Sequence, residues 1–281
     1  MKEKTLLYII SILSCATFFT ALIYSTKFVF PFIVPKALFF RSISLIIFGF
    51  FVLLCLKKKS YLRQVNPVSL AVLFFLVSLF FSTILGVDWY KSFWDNQERM
   101  LGVFTITHYI IFFFVLSHTF ESWGSWKKLL RVFLGVGSLV MIVGCWQYFV
   151  DSDFLLNQGS SRVSATLGNA IYFSGFGLFL LYVGLLLFFK EPHRFWRVFA
   201  AFGALLGCSG IFLGGTRGTF VGLFFSLSFC LGYFFWKYKN NKKVSRTIIS
   251  TLLAFFLVFV FFFVFRDSEL VARVPGISRL L

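Results

Sequence analysis

Long apolar runs of near-constant length constrain this chain more than any motif in it. They lie at about Leu6–Tyr24, Ala37–Leu56, Val68–Gly86, Leu101–Ser117, Val132–Val150, Ala170–Phe189, Val198–Gly214, Thr219–Trp236 and Thr247–Phe265. Each is close to the ~20 residues an α-helix needs to cross a hydrocarbon layer, and none alternates as a barrel strand would. Hydrophobic residues make up 59% of the sequence, with 45 Phe among 281 residues. That exceeds the ~45–50% of a soluble domain even with glycine counted there. The expected fold class is all-α: a polytopic helical membrane protein with about nine transmembrane helices, read as one transmembrane domain over residues 1–281.

The formal net charge of +17 invites a nucleic-acid reading, which the distribution of the charge excludes. Basic residues gather in short links between apolar runs: Lys57-Lys58-Lys59, Lys127-Lys128, KEPHRFWR and KYKNNKKVSR. With the N-terminus inside and the spans alternating, the inner links hold most of the 27 basic residues and the outer side most of the 10 acids. This is the positive-inside pattern, and it predicts an inner N-terminus and an outer C-terminus. The first run follows Lys2 and Lys4, and Ile12-Leu13-Ser14-Cys15 loosely resembles a lipoprotein cleavage site. The many spans that follow favour an uncleaved first helix. Outside the runs, 87–100 carries Trp89, Tyr90, Phe93 and Trp94 and reads as an interfacial segment. An outer polar loop follows at 151–169, and an outer tail begins at 266. Cys15, Cys55, Cys145, Cys208 and Cys230 each sit within an apolar run and read as small packing residues.

In so apolar a chain, an arginine away from the basic links needs a reason. Placing one near the hydrocarbon boundary costs up to ~2.5–3.5 kcal/mol, less if it snorkels. Arg162, in QGSSRVSATLGNAIYFSG, and Arg217, in GGTRGTFVG, are two such residues; Arg99 is a third on the same outer side. Gly203, Gly207, Gly210, Gly214, Gly218 and Gly222 recur at intervals that let membrane helices approach closely. The turn near Gly215–Gly218 is so short that Arg217 is expected in a tight hairpin, fixed rather than snorkelling, although an arginine there can also simply mark a helix end. A guanidinium pair can clamp a phosphate or diphosphate through forked, charge-assisted hydrogen bonds. Such a clamp stabilises a diphosphate leaving group without a metal.

Other chemistry is sparse. No acid pair at metal-ligand spacing occupies the outer loops, and Asp88, Asp95, Glu98, Asp151 and Asp153 read as solvated loop acids. There is no P-loop and no GxSxG. His108 and His118 lie within or at the end of the fourth run and read as packed or interfacial, while His193 falls in an inner basic link. No metal or cofactor is expected, and no residue of the sequence is assigned as the general base.

Three stretches in order, SFWDNQERMLGVFT, SSRVSATLGNAIYFSGF and GGTRGTFVGL, resemble the bacterial O-antigen ligase and O-antigen polymerase superfamily, which includes protein O-oligosaccharyltransferases. They look like that family's Arg-x-x-Gly start of an early span, its Arg then Gly-Asn before a span, and its Ser/Thr-Arg-Gly turn. The resemblance covers about residues 85–225. It implies a multi-pass protein of the bacterial inner membrane that takes a glycan from an undecaprenyl-diphosphate carrier on the outer face. The glycan passes to lipid A-core, to a growing glycan or to a protein hydroxyl, without a metal. Arg162 and Arg217 would hold the diphosphate, with Arg99 assisting. Gly214, Gly218 and Gly222, read from their spacing, are structural. The partners implied are that carrier-linked glycan, its lipid or glycan acceptor and membrane lipids. The family's Gly-Asn-Pro-Asn reads Gly168-Asn169-Ala170-Ile171 here. Its acceptor-activating histidine belongs to a large outer loop, and RVPGISRLL, ending at Leu281, resembles that loop's opening, so the histidine is expected beyond Leu281.

Two other readings use the same residues. A secondary transporter or flippase for an anionic or lipid-linked solute would bind it with the same arginines, although no convincing repeat relates the two halves. A membrane partner without chemistry would tolerate replacement of Arg162 and Arg217.

Overall fold

In a computed structural model, residues 2–62, 66–156, 162–238, 240–241 and 250 are described. They are helical, with no strand among them. The helices are α1 (Glu3–Ala16), α2 (Val34–Lys57), α3 (Pro67–Leu85), α4 (Trp89–Trp94), α5 (Val103–Thr119), α6 (Trp123–Phe149), α7 (Ala170–Lys190), α8 (Arg194–Gly214) and α9 (Arg217–Tyr238). Seven helical stretches are long and apolar enough to cross a membrane, and α5 is a shorter apolar helix. The expected spans from the first run to the eighth each fall on one of these. The run at Thr247–Phe265 and the tail from 266 lie outside the described residues.

Two helices differ from their expected bounds for local reasons. α1 tightens into a 3-10 turn over Thr17–Leu22, where the Thr17 hydroxyl donates to Ser14 O at 2.6 Å and the Thr20 hydroxyl to Thr17 O at 2.5 Å. These back-bonds compete with the α-helical ladder. α6 begins at Trp123 rather than Val132, because Ser122 caps it: its Oγ accepts from Ser125 N–H at 3.2 Å. The basic stretch around Lys127 and Lys128 is thus the first turns of a helix and not a loop.

The described residues form two compact units that divide between Val136 and Gly137, inside α6. In the first unit, Leu6 and Ile10 of α1 meet Ile43, Ile47, Phe51 and Leu54 of α2 in one buried cluster. The spacing is the four-residue ridge of two packed helices. Glu3 Oε1 accepts from Lys58 Nζ at 3.0 Å and from the Tyr61 hydroxyl at 2.8 Å, so the start of α1 lies beside the end of α2 and the pair is antiparallel. α3 starts at Pro67, with Asn66 Oδ1 accepting from Ser69 N–H at 2.7 Å. Most of its large apolar side chains, Phe74 and Phe81 among them, stay exposed. In lipid that exposure costs little, since acyl chains are as apolar as the side chains.

In the second unit the closest packing joins α7 to α8. A Cβ on Gly207 would lie 2.6 Å from Leu181 N and 2.7 Å from Gly177 O; one on Gly177 would lie 2.7 Å from Gly207 O. A Cβ on Gly214 would lie 2.7 Å from Ser174 Cβ, and one on Gly210 would lie 2.3 Å from Met141 Sδ of α6. Small residues therefore do the work that apolar burial does in water: they bring backbones into van der Waals contact. The close approach stops at the end of α8. Among the described residues, Gly218 has nothing within 4 Å of its would-be Cβ, and Gly222 has Leu178 Cδ2 at 3.6 Å. α9 instead meets α7 through a hydrogen bond between the Tyr182 and Ser226 hydroxyls.

Candidate anion-binding site at the turn between α8 and α9

The second unit brings together the polar segment after residue 161 and the turn between α8 and α9. α8 ends at Gly214, and Gly215 follows at φ 51°, donating its N–H to Ile211 O and Phe212 O at 3.2 and 3.0 Å. That left-handed C-cap is the conformation glycine adopts without a Cβ clash. Thr216 then opens α9, its carbonyl accepting from Thr219 N–H at 3.0 Å. Arg217 is the first residue of α9; it is exposed and forms no hydrogen bond or ion pair with the described residues.

Arg162 is placed very differently. It is half-buried, its Nε donates to Gly214 O at 3.1 Å, and its Nη2 donates to Thr216 Oγ1 at 3.0 Å. Gly214 O is among the last carbonyls of α8, which carry the negative end of the helix dipole and have no partner within the helix. The cation satisfies one of them. Thr216 Oγ1 can pass its own proton to Gly214 O at 3.3 Å or Ala170 O at 3.4 Å, so the start of α7 joins the same knot. Next to Arg162, Val163 donates its N–H to Leu213 O at 3.3 Å. The two arginines thus share one turn through Thr216, but Arg162 is engaged in building it while Arg217 faces out of it.

The other end of the segment is held from α6. Gln147 is 1% exposed, and its Oε1 accepts from Ser164 N–H at 3.0 Å and Ala165 N–H at 2.8 Å. Its Nε2 donates to Phe154 O at 2.6 Å. Ala165 has φ 46°, in the left-handed region that a non-glycine residue rarely occupies. Gly168 follows at φ 72°, and Asn169 caps α7 by accepting from Ile171 N–H at 2.8 Å. The Gly-Asn pair noted in the sequence therefore serves as a turn and an N-cap.

Arg99 belongs to the first unit. It is exposed, on a loop folded on itself: its N–H goes to Asn96 Oδ1 at 2.8 Å, and Leu101 N–H goes to Asp95 Oδ2 at 2.9 Å. The Leu101 N–H, helped by the Asn96 N–H and the nearby charges of Arg99 and Lys91, holds the Asp95 carboxyl below the usual aspartate range. Gly102 closes the loop with no room for a side chain, since a Cβ would lie 2.3 Å from Phe93 O.

A fourth arginine, Arg41, is one that reading for motifs passed over. It sits within α2, 8% exposed, and donates from Nε to Thr105 Oγ1 and from Nη2 to Met100 O, both at 3.1 Å; Nη2 also reaches Thr105 Oγ1. Its guanidinium carbon lies 5.1 Å from the centre of the Phe104 ring, a cation–π arrangement. The sequence signal was a charge inside an apolar run.

The remaining candidates have local duties. His108 Nδ1 lies 2.7 Å from Phe104 O and so carries the proton, leaving Nε2 buried with no partner among the described residues. His118 Nδ1 bonds Phe114 O in the same way at 2.7 Å, and His193 precedes α8 as its N-cap. Asp88 caps α4 through Lys91 N–H at 2.9 Å, and Asp151 accepts from Asp153 N–H at 3.0 Å. Among the described residues no three His, Cys, Asp or Glu side chains group as metal ligands. Comparison with family models, with curated proteins and with solved structures finds no match to this chain.

Proposed function

We propose that this chain belongs to a lipid-linked glycan transferase of the kind its arginine motifs resemble. It would act on the outer face of a bacterial inner membrane, through about nine spans with the N-terminus inside. The observation that carries the reading is the division of labour at one turn. Arg162 spends its Nε and Nη2 on Gly214 and Thr216, and Arg217 stands exposed beside them.

In this reading the acceptor hydroxyl attacks the anomeric carbon of the carrier-linked sugar. The new glycosidic C–O bond forms as the bond to the diphosphate oxygen breaks, and the carrier leaves as a diphosphate. Charge builds on that leaving oxygen, and the exposed Arg217 meets it with a forked, charge-assisted hydrogen-bond pair. The acceptor's proton goes to the loop histidine that the resemblance implies. Arg162 contributes by holding the turn. Arg99 lies on a loop of the first unit, and its assisting role rests on the resemblance alone.

The test is transfer of a labelled glycan from its undecaprenyl-diphosphate carrier by the protein in proteoliposomes. Arg217→Ala is expected to abolish transfer with insertion intact. Arg217→Lys is expected to be strongly impaired, because an ammonium cannot present the fork. Transfer at the normal rate by Arg217→Ala would sink the reading, and movement of the carrier across the bilayer without product would point to a flippase.

A further inference from the structure

We infer that Gln147 is a positioning residue for the diphosphate site, setting the Arg162 segment over the turn between α8 and α9; this rests on the reading just given. The segment is anchored at two ends. At one, Arg162 and Val163 hold Gly214, Thr216 and Leu213. At the other, the Gln147 amide holds Ser164 and Ala165 and reaches back to Phe154 O ahead of them. The backbone between these anchors is too short to move one without the other.

A buried primary amide is costly unless its groups are bonded, and here the oxygen accepts two N–H groups while the nitrogen donates to a carbonyl. The direction of the amide is fixed by its partners: only the NH2 can face Phe154 O, and only the oxygen can face two donors. The bond to Ala165 N–H falls on the residue whose φ is 46°. A strained backbone of this kind persists only where its surroundings over-determine it. Gly144, one turn earlier on α6, lets the segment close in, because a Cβ there would lie 2.2 Å from Phe173 Cζ and 3.1 Å from Val163 Cγ1. α6 thus presents a glycine for contact and a glutamine for direction on one face.

The chemistry of the amide supplies a test that a merely space-filling residue would not pass. In Gln147→Glu, the neutral acid can accept from Ser164 and Ala165 and donate its O–H to Phe154 O. The ionised form sets two acceptors against each other. The charged groups around the site are Asp151 and Asp153 before Phe154, Arg162 within the segment and Arg217 on α9; α7 brings none between Ala170 and Phe189, and α8 none between Val198 and Thr216.

The experiment measures binding of undecaprenyl diphosphate to the full chain in nanodiscs, with hydrogen exchange read at Ser164 and Ala165. At a position 1% exposed, burial keeps a carboxyl neutral to higher pH than an ordinary glutamate. Measured against wild type at the same pH, so that titration of the diphosphate itself cancels, Gln147→Glu is expected to bind equally near pH 5 and about tenfold more weakly near pH 8. Gln147→Leu is expected to be weak at both. Should these variants fail to fold, Gln147→Asn keeps the amide but draws it back by one methylene, and is expected to weaken binding and speed exchange. Folded Gln147→Leu or Gln147→Asn binding within twofold of wild type would overturn the inference. Binding unaffected by Arg217→Ala, alongside fast exchange at Ser164 in Gln147→Leu, would instead sink the diphosphate reading and leave the anchoring intact.

Discussion

Arg162 donates from Nε to the carbonyl of Gly214 across 52 positions of sequence. That bond joins the polar segment before α7 to the end of α8, and the same guanidinium reaches Thr216 immediately before Arg217. The position of Arg217 at the start of α9 is thus decided by a residue that is not its neighbour in the chain.

Thr216→Val tests that dependence. Valine keeps the β-branch and removes the oxygen that accepts from Arg162 Nη2. A hydrogen bond to a charged group is worth about 1.5–3 kcal/mol. The expected outcome is a folded protein with a lower thermal midpoint in detergent and faster exchange at Val163, and Thr216→Ser close to wild type. Equal midpoints for valine and serine would show that the bond contributes nothing.

The glycines make opposite predictions on the two sides of the turn. Gly207→Leu drives a side chain into Leu181 N and Gly177 O, which are backbone and cannot yield. Overpacking of this kind costs about 1–3 kcal/mol or more, and α7 and α8 should separate. Gly218→Ala meets open space within α9 and should be neutral or stabilising by up to ~1 kcal/mol through helix propensity. Thermal unfolding of the two variants side by side checks this, and a loss in Gly218→Ala as large as in Gly207→Leu would contradict the packing.

Arg41→Lys keeps the charge in α2 and discards the fork. A lysine cannot bond Thr105 and Met100 at once or lay a planar cation on Phe104. The loop around Arg99 should then be cut faster by protease, with a stability loss of about 1.5–3 kcal/mol per charged hydrogen bond removed. Unchanged cleavage between Asp95 and Gly102 would show that the loop holds itself.

The Asp95 carboxyl gives that loop a pH dependence of known sign. Its folded pKa lies below its unfolded value because Leu101 N–H bonds the ionised form. Its contribution is therefore fully present above the ordinary aspartate range and is lost as pH falls through the lowered folded value. Exchange at Leu101 should accelerate, relative to its intrinsic rate, below about pH 4. Asp95→Asn, whose side chain does not titrate, should remove that dependence. A wild-type profile as flat as the asparagine variant's would refute the assignment.

The helices were legible because the bilayer fixes both their length and their composition, so Phe-rich runs announce themselves without alignment. The start of α6 was not, because Lys127, Lys128 and Arg131 read as a loop when only hydropathy is weighed. A helix can begin in the polar layer and carry its charges there. Gln147 was passed over because a lone glutamine near the end of an apolar run reads as the end of the span. Its meaning lies in backbone N–H groups 17 and 18 residues away.

By itself, the sequence determined an all-helical membrane chain, the glycine spacing of α8 and the presence of arginines beyond the basic links. Only the tertiary structure decided which of those arginines is committed. Charge and hydropathy are properties of single residues, and they mark Arg162 and Arg217 alike. Hydrogen-bond partnership belongs to pairs brought together by packing, and it assigns Arg162 to Gly214 and Thr216 while leaving Arg217 exposed.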